Sequence, residues 1–92
     1  MNSFGEYLRN KREKLGLPLR KVAAELDIDT SILSKIERNE RTAAKEMLPI
    51  LSKALEVNEK EMQIEFLRSI IINEFGDLEF LAYGLKNILK KL

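Results

Sequence analysis

The sequence predicts an all-α protein, and three observations predict it. Apolar side chains return at spacings of three and four residues, as Leu19, Val22, Ala23 and Leu26 do, which is the period of one buried helical face. Residue types that start or stop helices punctuate the chain at Ser3, Gly16, Asp27, Asp29, Asn58 and Gly76. The last third ends in a seam of Leu78, Leu81, Leu85, Ile88 and Leu92, again spaced by threes and fours. The 92 residues suit one compact domain with a single small core.

The first helix is expected to follow Ser3, which forms a capping-box pair with Glu6, and to run to Gly16 with Phe4, Leu8 and Leu15 inward. Arg12 falls on that inner stripe, so it needs a carboxylate or stays a partly buried, uncompensated charge. The second helix carries Pro18 in its first turn, where a missing N–H costs little, and ends where Asp27, Ile28 and Asp29 break the pattern. Asp29 can cap a third helix whose inner face is Leu33, Ile36 and Glu37. Glu37 is the candidate partner of Arg12; the alternative is that both point to solvent. Thr30, Ser31, Ser34, Lys35 and Arg38 turn outward and make a small, polar, basic face. Ile32 either reaches outward or completes the core edge, and the core edge is favoured.

Residues 39–44 form a loop. Pro49 requires the fourth helix to begin near Lys45 or Glu46 and run to about Glu56, with Leu48, Leu51, Ala54, Leu55 and Val57 closing a five-helix core. Asn58 and Glu61 cap a fifth helix, which continues through Phe66, Leu67, Ile70, Ile71 and Phe75 with too wide a stripe for one partner. Gly76 then supplies a stop and Asp77 an N-cap for a sixth helix, so the chain should end in a helical hairpin. Ala82 and Leu89 widen the seam of that helix. Gly84 at its edge either admits a neighbouring helix or is a tolerated weak point.

Cysteine and histidine are both absent, which removes disulfides, thiolate and imidazole metal sites, and nucleophiles that depend on a histidine base. No glycine-rich phosphate loop occurs, and no metal or cofactor is expected. Ser31 and Lys35 share a helical face, but so short a chain cannot surround them with a substrate cleft, so an enzyme is not expected. The N-terminus lacks the apolar run of a signal peptide and no segment has the length of a membrane span, which points to a cytoplasmic protein. Net charge is +1, yet residues 1–45 hold ten Lys and Arg against seven Asp and Glu, while residues 46–92 hold six against eight. The basic excess lies in the N-terminal half, the half that contains the two short helices.

In its two short helices and the turn between them, the chain resembles the Cro/CI-type (XRE) helix-turn-helix family. Gly16, Leu17, Val22, Ala23, Ile28, Ser34, Ile36, Glu37 and Arg41 match the family's pattern, and the likeness extends over FGEYLRNKREKLG before it and MLPILSKALEVNEKEM after it. Three positions depart from it. Leu19 stands where the family usually has a phosphate-touching glutamine, while Asp27 and Asn39 replace glycines at turns, where both residue types tolerate a left-handed backbone. The resemblance implies a five-helix lambda-repressor-like domain over residues 1–62, to which residues 63–92 add a helical dimerisation extension.

It also implies a bacterial or phage transcriptional regulator that binds double-stranded DNA through the helix from Thr30 to Arg38. Thr30, Ser31 and Lys35 would then meet base edges, and Arg38, Arg41 and Thr42 would hold phosphates. Ser34 would touch backbone phosphate or satisfy its own helix. Arg12 and Glu37 would form the family's structural ion pair. The seam of Leu78, Leu81, Leu85, Ile88 and Leu92 would hold a homodimer on a palindromic operator, or else cap its own domain. Within the family, the run from Leu17 to Ala43 looks most like controllers that accompany restriction-modification systems. The alternative is an antitoxin or interaction module whose hairpin binds a toxin or antagonist protein.

Overall fold

The computed structural model describes residues 3–92, and these form six α-helices with no strand among them. The first, α1 (Phe4–Lys14), starts because Ser3 Oγ accepts the Glu6 N–H at 3.2 Å and its hydroxyl reaches the Glu6 carboxylate at 3.5 Å. It ends at Gly16, whose φ of 68° turns the chain so that Leu17 N donates to Arg12 O. That turn corrects one expectation. Leu15 is rotated off the inner stripe and is 38% exposed, while Leu17 packs against the core.

Next come α2 (Leu19–Leu26) and α3 (Thr30–Glu37). Pro18 occupies the N-cap of α2, one residue ahead of the first turn where it was expected. Asp29 likewise occupies the N-cap of α3, yet its side chain makes no capping hydrogen bond. Its main-chain carbonyl instead takes the N–H groups of Ile32 and Leu33. A single 3-10 turn (Lys45–Met47) leads into α4 (Leu48–Ala54) with Pro49 in the first turn. Then α5 (Glu59–Phe75) starts under Asn58, whose Oδ1 accepts from Lys60 N at 2.8 Å and Glu61 N at 3.3 Å. The last helix is α6 (Leu81–Lys91). Besides Gly16 after α1, left-handed residues end three more helices: Asp27 follows α2, Asn39 follows α3 and Glu56 follows α4.

The first five helices share one core. Its most deeply buried large side chains are Leu8 on α1, Val22 on α2, Leu33 on α3, Leu51 on α4 and Met62 on α5, each worth about 2 kcal/mol of transfer free energy. Helix α3 packs against α1 and α2, α4 bridges α2 and α5, and α5 returns to α1. Two contacts fix that return: the Phe4 N–H donates to Ser69 Oγ at 3.1 Å, and the Phe4 and Phe66 rings meet edge to face. The buried Ser52 hydroxyl is satisfied by Leu48 O. Beyond Met62 no residue is buried.

The C-terminal turn differs from the sequence expectation. Gly76 keeps a helical φ of −61°, and Asp77 does not cap α6, which begins four residues later with Phe80 at its N-cap. The backbone makes two successive turns here, Leu78 N donating to Phe75 O and Leu81 N to Leu78 O, which leave Asp77 three residues ahead of the N-cap position. Nor do the two helices pack along each other. The hairpin exists in connectivity, but its arms stand open around an apolar groove of about 480 Å³ lined by Ile71, Phe75, Leu78, Leu81, Leu85 and Ile88. The seam therefore does not cap the N-terminal core. No helix among the described residues is long and apolar enough to cross a membrane.

Candidate nucleic-acid interface

The back of α3 is fixed by charge as well as by packing. Arg12 Nε donates to Glu37 Oε2 at 2.7 Å and Nη2 to Oε1 at 3.0 Å, a two-point grip, while Nη1 donates to Leu17 O at 2.8 Å. The two side chains are only 12% and 6% exposed. Hydrogen bonding to Glu37 holds the guanidinium above its ordinary pKa, outweighing the burial that pulls the other way. One planar cation thus ties the end of α3, the last turn of α1 and the turn into α2.

With Leu33, Ile36 and Glu37 buried, the opposite side of α3 stands in solvent. Thr30, Ser31 and Lys35 are exposed there. Ser34 is half-buried, and Ile32 packs against the core rather than standing outward. Arg38 follows at the end of the helix, exposed, its Nε within 3.3 Å of Glu40. A phosphate would have to compete with that carboxylate, though at such exposure the pair is worth little. Arg41 and Thr42 lie exposed on the loop beyond and line a cleft against Asn73 and Glu74 of α5. The whole arrangement is a short polar helix, braced from behind, between a tight turn and a loop that carries Arg41.

A family model described as helix-turn-helix matches residues 8–62 of the chain. The chain belongs to the Cro/CI-type helix-turn-helix family. Membership makes it a DNA-binding transcription regulator, in a family of regulators rather than of enzymes. Neither the comparison with curated proteins nor that with solved structures gave a match.

Several residues that position α3 in this helix-turn-helix protein were missed in the sequence. Asn39 was read only as a turn residue, yet its Oδ1 accepts from Gly5 N at 3.2 Å and its Nδ2 donates to Ser3 Oγ. Gly5 itself lies so close to the end of α3 that a Cβ there would come within 2.3 Å of Ile36 O and 2.6 Å of Glu37 O. A glycine in the first turn of a helix was the available signal. Tyr7 and Lys11 both reach the Glu61 carboxylate from α1. Burial, together with that carboxylate, pushes the Tyr7 phenol up from its ordinary pKa.

Proposed function

We propose that the protein is a homodimeric, sequence-specific repressor of its own promoter that binds a palindromic operator. Residues 1–62 form the reading unit and residues 63–92 the pairing unit. The observation that carries this reading is α3 itself, clamped to α1 by a buried ion pair while Thr30, Ser31 and Lys35 stand exposed on its other side. Such a helix can enter a major groove without losing its support. Thr30, Ser31 and Lys35 meet base edges, and Ser34, Arg38, Arg41 and Thr42 hold phosphates and set the register. The seam of Leu78, Leu81, Leu85, Ile88 and Leu92, exposed except at the half-buried Leu81, supports pairing, because a stripe of that kind is unfavourable in water. Selection of bound fragments from random DNA tests the reading. The expected product is a palindrome with half-sites about 34 Å apart; recovery of single half-sites, or no enrichment, overturns it.

The same exposed seam favours a second reading, an antitoxin or interaction module whose C-terminal helices bind a toxin or antagonist. Size exclusion of the purified chain separates the two: a stable dimer has already covered the seam with itself, whereas a monomer leaves it for a different protein. The narrower assignment to a restriction-modification controller rests on the run from Leu17 to Ala43. It requires the selected operator to lie upstream of such genes.

A further inference from the structure

Three features of the C-terminal arm converge on one occupant for the groove between α5 and α6. The first is that the apolar stripe of α6 is wider than the groove it lines. Leu81, Leu85 and Ile88 form its wall, whereas Ala82 and Leu89 stand on the shoulder beside them, with Leu89 still 69% exposed. A helix that is apolar toward its own groove and also beside it is suited to lie between two partners.

Charge is the second feature, and it gives a direction. Glu74, Asp77 and Glu79 cluster where α5 turns into α6, and Lys86, Lys90 and Lys91 follow with no acidic residue after Glu79. Among the described residues none of these six takes part in a salt bridge. Two parallel copies of α6 would set lysines against lysines. Two antiparallel copies set each basic end against the other's acidic turn.

The third feature is Gly84, which weakens α6 as a helix and for which its own chain offers no reason, since a Cβ there would meet nothing within 4 Å. A second helix crossing at that point would use the missing side chain to come close.

We propose that the groove takes α6 of a second copy of this chain, laid antiparallel and crossing the first at Gly84 and Leu85. The proposal rests on the homodimer reading above and adds the segment, its direction and its register. Leu81 then lies opposite the partner's Ile88, and Glu79 opposite the partner's Lys90. The four helices α5 and α6 of both copies close around one apolar interior, an isologous arrangement in which each α6 is both guest and host.

The full chain has no cysteine, so single cysteines report the register directly. Leu81→Cys mixed with Ile88→Cys should form a mixed disulfide on oxidation. Ile88→Cys alone should not link, because its two copies would stand about 10 Å apart along the helix axis, beyond disulfide reach. Glu79→Lys and Lys90→Glu should each raise the dimer dissociation constant about tenfold, since each places two like-charged pairs across the interface. Their combination in one chain should restore it to within about threefold. Gly84→Ala should weaken the dimer although it favours the helix. A dimer in which Ile88→Cys links to itself, or in which the combined charge reversal gives no rescue, overturns the antiparallel register while leaving the homodimer standing. A wild-type chain that sediments as a monomer at micromolar concentration overturns both.

Discussion

Residues 4–62 and residues 63–92 both carry apolar side chains at helical spacing, and they dispose of them in opposite ways. In the first region five helices turn their stripes to one centre, and Leu8, Val22, Leu33, Leu51 and Met62 lie at 2% exposure or less. In the second, Phe75, Leu78, Ile88 and Leu89 are between 41% and 69% exposed, and no residue is buried. The first region buries its stripes in one core, with Phe66 and Ser69 of the second fastened to its edge, while the second leaves its apolar groove open to solvent. The boundary is not a linker, since α5 runs through it from Glu59 to Phe75. In the proposed dimer, pairing falls to α6 and DNA reading to α3, so the two can change independently.

The largest expected effect tests that independence. Replacing Leu81, Leu85 and Ile88 with polar residues should give monomers whose affinity for the operator falls by about 100-fold or more, because two linked half-site contacts become one. Their thermal melting should stay close to wild type. Unfolding or aggregation of that variant would mean the two regions are one cooperative unit.

Next in size is the clamp within the first region. Arg12→Ala and Glu37→Ala should each cost about 3 kcal/mol in denaturant titrations, since each strands a nearly buried opposite charge. The double variant should lose clearly less than their sum; additive losses would show that the pair does not act as one. Gly5→Ala should cost about 2 kcal/mol by forcing α1 away from the carbonyls that end α3. An unchanged stability there would mean that the two helices can separate without penalty.

The smallest effects divide the reading surface. Lys35→Ala should lose about 1 to 3 kcal/mol on the operator and little on random DNA, as a base contact does. Arg41→Ala should weaken all sequences alike and lower the salt dependence by about one counterion. If competition binding gives the reverse pattern, the two roles have been exchanged.

The five-helix fold was legible because its signals are local: Ser3 and Asn58 cap, Gly16 turns, and Leu19, Val22, Ala23 and Leu26 fall on one face. Asp27 and Asn39 could be read as left-handed from their residue types. Glu56, equally left-handed, could not, because glutamate carries no such preference. The site's outer face followed from helical period alone. Its bracing by Asn39, Gly5 and Ser3 did not, since those contacts join segments more than thirty residues apart. Asp77 misled because the chain makes two successive turns between Phe75 and Leu81 before the helix starts, which the type of a cap residue does not reveal.

One consequence of the unbroken α5 concerns the spacing that DNA must offer. At 17 residues the helix is about 25 Å long, and Phe66 and Ser69 bolt its middle to the start of α1. In the proposed dimer, partner geometry set at α6 would pass to the reading unit through this stiff strut and not through a tether. A tethered pair of domains tolerates half-sites moved apart or rotated. A strutted pair does not, and one base pair inserted at the centre of the operator shifts the second half-site by about 3.4 Å and turns it by about 34°. In such a dimer, what each half-site says can be retuned residue by residue along α3, whereas the distance between half-sites is inherited with the length of a helix.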